Sequence, residues 1–268
     1  MKNILLPLQA DPGQEARLQI ALDAARMLDG HLECVEVRGA PMPIMGDFGG
    51  EAAALALVAF REAEQARQAA QARIEQRLTA EDVRWSFAQS SAALADALAH
   101  NADLADLIII SGRLGEPDET ASVHPQPLPL RLRRPLLAVP PTARELALDR
   151  GALVAWDGSR PALEAVRAAV PLLARSAAVT ILEVDAPSEA IPIEAIALYL
   201  SRHGIMPDLV QRRSQSTVAA CLRDHVQASN AGLLVMGAYG SLPLAQAVFG
   251  GVTRTMLATS PVPLLLAH

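Results

Sequence analysis

Apolar residues recur along the chain in short unbroken runs, separated by longer stretches with helical periodicity. Ile4–Leu8 is the first run, and Gln14–Leu28 follows with Leu18, Ala21, Leu22, Ala25 and Leu28 on one face. His31–Val37, Val83–Ala88, Leu107–Ile110 and Leu136–Val139 read as further strands. Between them lie a long, Ala-rich, charge-laced helix over Glu51–Leu78 and a shorter one over Ser90–Ala99, which Ser90 or Ser91 is placed to cap. The order then repeats. Strands are expected at Ala152–Ala155, Val179–Val184, Leu209–Gln211, Leu233–Met236 and Val262–Leu266, and helices at Arg160–Leu173, Ser188–Arg202, Thr217–Gln227 and Thr253–Ala258. Runs such as Leu107–Ile110 and Leu233–Met236 do not alternate with polar residues. Strands of that kind are buried on both faces, as in parallel sheets flanked by helices. An α/β fold with right-handed crossovers follows.

Landmarks recur between the halves. Asp106–Gly112 parallels Ala231–Gly237, Pro135–Val139 parallels Pro263–Ala267, and Gln9 falls where Asp157 falls. Duplication is the simplest account. It predicts two tandem Rossmann-like domains, 1–142 and 150–268. Each is expected to be an open parallel five-stranded sheet of order 3-2-1-4-5 with helices on both faces. The Pro140–Arg150 segment is the expected linker. The last strands of the halves, Leu136–Val139 and Val262–Leu266, offer edges through which the two could pair. Arg38–Gly50, with two prolines and four glycines, reads as a surface insertion or a flap.

Composition narrows the function. Aromatics make up only 3% and the net charge is −6. Base-stacking platforms need exposed aromatic faces, and a weakly acidic surface attracts neither nucleic acid nor anionic lipid. No stretch approaches the ~18 apolar residues of a membrane helix. The two cysteines, Cys34 and Cys221, are far apart and form no C-x-x-C pattern, so buried bystander thiols in a reducing, cytoplasmic compartment are expected. The six histidines show no ligand spacing.

Candidate chemistry concentrates after the fourth strand of the second half. Gly237-Ala-Tyr-Gly240 is followed by nine residues and then Gly250-Gly251-Val252-Thr253. Gly237 and Gly240 let the backbone turn close to a ligand. Gly250 and Gly251 sit where helix N–H groups lack partners, so the amides of Gly251, Val252 and Thr253 suit a phosphate, with the Thr253 hydroxyl as one more donor. Asp157 follows the first strand of the same half. In an open parallel sheet, the loops after strands 1 and 4 form the ligand crevice, where a carboxylate can accept from a ribose hydroxyl or an adenine amino group. Ser159 is placed to cap the next helix, with Pro161 in its first turn. Trp156 either packs in the core or plugs the crevice, and Arg254 either touches a phosphate or lies on the helix surface.

These residues resemble the universal stress protein family, whose nucleotide-binding members carry G-x-x-G, nine residues, then G-(S/T) after the fourth strand and an Asp after the first. The resemblance covers the whole chain as two copies. It implies an adenine nucleotide alpha hydrolase-like fold and ATP, with Mg²⁺ arriving on the nucleotide. Asp157 would hold the adenosine, Met236 and Gly237 would line base and ribose, and Ala155 and Val184 would lie near the base. Gly240, Gly250, Gly251, Val252 and Thr253 would wrap the phosphates. Gly251 departs from the pattern, standing where Ser or Thr is usual, which removes a hydroxyl but keeps the backbone donor.

The first copy fails the same test. Gly112-Arg-Leu-Gly115 is present, but Pro125 replaces the late glycine, His124–Pro129 is proline-rich, and Gln9 replaces the acid. No nucleotide is expected there. The resemblance implies a regulatory, stress-linked ATP-binding protein with at most slow hydrolysis, with intramolecular pairing of the halves and a homodimer as further expectations. The alternative is a dimerisation scaffold that binds no nucleotide. A third reading, a true nucleotidyl transferase or ATPase, lacks a motif such as G-x-x-x-x-G-K-[ST].

Overall fold

The computed structural model describes residues 1–8, 11–37, 51–90, 94–112, 131–185, 191–238 and 251–268. Among them, ten strands form one open sheet: β1 (Asn3–Leu8), β2 (His31–Val37), β3 (Arg84–Ser90), β4 (Leu107–Ser111), β5 (Leu136–Val139), β6 (Ala152–Trp156), β7 (Val179–Val184), β8 (Asp208–Arg212), β9 (Leu233–Gly237) and β10 (Leu264–Ala267). Their order is β3-β2-β1-β4-β5-β10-β9-β6-β7-β8. Pairing is parallel within β1–β5 and within β6–β10. The two sets meet at β5 and β10, which run antiparallel with Leu137 opposite Leu265.

Both sheet faces are covered. On one lie α1 (Gln14–Leu28), the end of α2 (Glu51–Ala80), α4 (Arg160–Leu173) and α5 (Ile193–Ser201), packed on Ile4, Leu6, Ile109, Val154, Val235 and Leu265. On the other lie α3 (Leu94–Asn101), α6 (Val218–Ser229) and α7 (Gly251–Thr259), packed on Leu5, Ile108, Leu153, Leu182, Leu234 and Leu264. Successive residues of the central strands thus enter different cores, which is why these strands read as unbroken apolar runs.

The halves can be registered on each other through matching hydrogen bonds. Asp106 N donates to Asn3 O (2.8 Å) as Gly232 N donates to Gly151 O (3.0 Å). Gly112 N donates to Val139 O as Ala238 N does to Ala267 O, both at 2.8 Å. Ser111 therefore stands in the register of Gly237, and Gly112 in that of Ala238. The parallel drawn from sequence is off by one residue, because the shared final glycine outweighed the strand pairing.

Several boundaries also differ. Ser90 pairs with Val37 as the last residue of β3, and α3 begins at Leu94; Ser91 lies outside the described residues. α5 begins at Ile193 behind Pro192, five residues later than expected. α7 begins at Gly251, which with Val252 is already in the first helical turn. Segment 140–150 is no free linker. Ala143, Leu146 and Leu148 are buried, and Leu146 N donates to Asp23 Oδ2 on α1 at 3.0 Å. Ala177 N, beyond α4, donates to Leu148 O at 2.9 Å. Arg38–Gly50 lies outside the described residues.

Candidate functional site

The C-terminal ends of β6 and β9, neighbours in the sheet, form the switch point of the second half. Ala155 and Met236 are Cα partners there, and with Val184 at the end of β7 they face the core beneath α6 and α7. One residue beyond β6, Asp157 is exposed. Its Oδ1 accepts from Ser159 N at 3.0 Å, and the turn passes through Gly158 at φ +70°. Ser159 caps α4, its hydroxyl accepting from Ala162 N at 3.3 Å, with Pro161 in the first turn. Sequence alone identified this cap. It fixes where the chain leaves β6 and holds the Asp157 carboxylate at the sheet edge.

Trp156 belongs to the opposite face. It is 2% exposed, and its Nε1 donates to Ile191 O at 3.0 Å. Alternation along β6 separates it from Ala155, so it is a core residue and no crevice plug.

The glycines separate into two kinds. A Cβ on Gly237 would meet backbone: Ala162 N at 2.4 Å and Pro161 C at 2.7 Å. Its missing side chain is explained by the close approach of α4, whatever else lies near. Among the described residues a Cβ on Gly251 would meet nothing within 4 Å, and Gly251 is exposed. Val252 packs partly against the core, and Thr253 is buried and has a polar partner. Arg254 is exposed. Gly240 and Gly250 lie outside the described residues. The structure thus brings Ala155, Asp157, Met236 and Gly237 together at the ends of two adjacent strands, with Val184 at the end of β7 beside them.

These strand ends are tied to their surroundings. Beyond β7, Asp185 adopts φ +49° and accepts from Ser214 N at 3.1 Å and from the Ser214 hydroxyl. These bonds hold its carboxyl below the ordinary range. They anchor the loop that leads from β8 into α6. Meanwhile α7 reaches the first half: a Cβ on Gly112 would lie 3.1 Å from Leu257 O.

Sequence reasoning missed two buried acids. Glu36 and Glu183 are 8% and 9% exposed, and they sit at the ends of β2 and β7 in equivalent Glu-Val pairs. Glu36 Oε1 accepts from Arg67 on α2 at 2.6 Å, and Glu183 Oε2 accepts from Gln211 on β8 at 2.6 Å. The repeated pair was the available signal. Among the described residues no group of three His, Cys, Asp or Glu side chains is arranged for a metal, and no helix is long and apolar enough to cross a membrane. Cys34 is buried, and burial pushes its thiol up to about 12; Cys221 is only partly covered, contrary to the expectation of two buried thiols.

No protein-family model and no curated protein matches the sequence. Solved structures do match in fold. A universal stress protein from Archaeoglobus fulgidus DSM 4304 superposes with a TM-score of 0.73 at 14% identity, over 99% of this chain and 96% of that one. A protein of unknown function from Pseudomonas aeruginosa PAO1 gives 0.53 at 16% identity, over 100% and 92%. A candidate universal stress protein from Pseudomonas aeruginosa UCBPP-PA14 gives 0.52 at 18% identity, over 100% and 93%. From one end to the other, the chain has the universal stress protein fold.

Proposed function

We propose that the chain is a tandem universal stress protein, with units 1–142 and 150–268, that binds adenine nucleotide in its C-terminal half as a cytoplasmic regulatory protein. The observation that carries this reading is the exposed Asp157 carboxylate beside the Ala155–Met236 pair at the β6/β9 switch point. Asp157 accepts from the ribose or the adenine, with Ala155, Val184, Met236 and Gly237 near the base. Gly251, whose Cβ would meet none of the described residues at the start of α7, wraps the phosphates with Gly240, Gly250, Val252 and Thr253. Among the described residues the acids do not form a metal cage, and Mg²⁺ enters on the nucleotide's own phosphates. Among the described residues no general base is assembled beside Asp157, and hydrolysis is slow or absent on this reading.

Acid extraction of the purified chain, read as adenine absorbance, and calorimetric titration with Mg-ATP test the reading. One equivalent per chain is expected, weakened at least tenfold by Asp157→Ala. Trp156 is unsuited as the reporter, since it lies in the opposite core. No adenine and no heat would overturn nucleotide binding and leave the dimerisation scaffold.

A further inference from the structure

Each half places one aspartate two residues ahead of the N-cap of the helix that follows its first strand. In the second half Asp157 accepts from the N–H of Ser159, the N-cap of α4. In the first half Asp11 Oδ1 accepts from the N–H of Gly13, the N-cap of α1, at 2.7 Å. Counting from the strand end hides this equivalence. Five residues, 9–13, separate β1 from α1, whereas three, 157–159, separate β6 from α4. Strand numbering matches Asp157 with Gln9, while helix numbering matches it with Asp11. The first half therefore keeps a carboxylate at the mouth of its switch point.

The two carboxylates differ in what they hold. Asp157 is exposed, and its hydrogen bond is to its own turn. Asp11 carries a bidentate guanidinium: Arg17 Nη1 donates to Oδ1 at 2.9 Å, and Nη2 lies 2.8 Å from Oδ2. The Arg17 side chain is 1% exposed. Counted from the N-caps, Arg17 takes the place that Leu163 has in α4. A Cβ built on Gly13 would lie 3.2 Å from each of Arg17 Nη1, Asp11 Oδ1 and Ser111 Oγ. Ser111 ends β4, so the ion pair sits where β1 and β4 part company. A ribose hydroxyl reaching Asp11 would have to displace a charge-assisted, two-pronged contact.

We propose that Arg17 confines nucleotide binding to the C-terminal half by occupying the carboxylate and the mouth of the first-half crevice. This rests on the reading that such a crevice takes adenosine. The prolines at 125, 127 and 129 leave the first half poorly equipped with phosphate donors, so the site that Arg17 closes is one for the nucleoside.

The test is calorimetric stoichiometry with adenosine on the full chain. Wild type takes one equivalent, Arg17→Leu takes two, and Arg17→Leu/Asp157→Ala keeps one. Arg17→Lys, which retains the cation, takes one. A folded Arg17→Leu chain with wild-type stoichiometry would overturn the proposal. The wild-type arm alone decides the C-terminal reading: no binding by wild type with one equivalent gained by Arg17→Leu would refute binding in the second half and sustain only the closing of the first-half site by Arg17. If Arg17→Leu fails to fold, Arg17→Met preserves most of the side-chain volume and should also gain the equivalent. Photolabelling of wild type with 8-azidoadenosine gives a further arm without substitution. Label at residues 157–173 but not 11–28 is expected, and label at 11–28 would overturn the proposal.

Discussion

The amide nitrogen of Ala162 lies 2.4 Å from where a Cβ on Gly237 would be. The start of α4 is pressed onto the end of β9, and only the absence of a side chain at 237 permits it. Gly237→Ala must push backbone against backbone, so a loss of about 2 kcal/mol or more is expected in urea denaturation. A variant as stable as wild type would show that α4 can retreat freely.

Gly251 behaves oppositely. Its missing Cβ meets none of the described residues within 4 Å. Gly251→Ser should change stability by less than about 0.5 kcal/mol. On the proposed function it restores one hydroxyl to the phosphates and tightens Mg-ATP about threefold to tenfold, the effect of one hydrogen bond. Calorimetry on the two variants separates a packing glycine from a ligand glycine.

Asp11→Ala removes the carboxylate from a nearly fully buried arginine. Leaving such a cation short of its bidentate partner costs about 3 kcal/mol. Thermal and urea unfolding should both record it, and Asp11→Ala/Arg17→Leu should recover part of the loss. If the double variant is no more stable than Asp11→Ala, the pair is not the source of the effect.

Asp185 sets a pH dependence. The Ser214 hydroxyl and amide hold its carboxyl below the ordinary value of 3.8. A depressed carboxylate stabilises the fold above its unfolded pKa and loses that contribution as pH falls through the folded value. Protection of the Ser214 amide from hydrogen exchange should therefore be constant from neutral pH to about 5 and decline below about 4. Asp185→Asn should remove the acid-dependent part of that decline.

Cys34 is sealed in the core with its thiol pushed up to about 12, as burial disfavours the thiolate. An aromatic disulfide reagent at pH 8 should not reach Cys34 in the native chain, and unfolding should release it. Fast modification of Cys34 in the native state would show that the β2 core opens.

Much of this was legible from sequence, for physical reasons. Two-sided burial makes strand runs unbroken, so Leu107–Ile110 and Leu233–Met236 announced a parallel α/β sheet. The Ser159 cap and Pro161 declared the start of α4. What stayed hidden depended on contacts across the sheet. Gly237 resembles a ligand glycine in sequence, yet its constraint is the backbone of Ala162. Asp11 went unnoticed because the loop before α1 is longer than its counterpart, so matching strand ends pointed at Gln9. The register of Ser111 with Gly237 is set by hydrogen bonds to Val139 and Ala267, which no local pattern encodes.

The antiparallel seam of β5 and β10 has a consequence for how the molecule responds to dilution. Were those edges on separate chains, their union would lose translational freedom and come apart as concentration fell. Covalent continuity through residues 140–150 makes the union unimolecular, at an effective concentration of the order of millimolar. The midpoint of thermal unfolding should accordingly not move between nanomolar and micromolar chain.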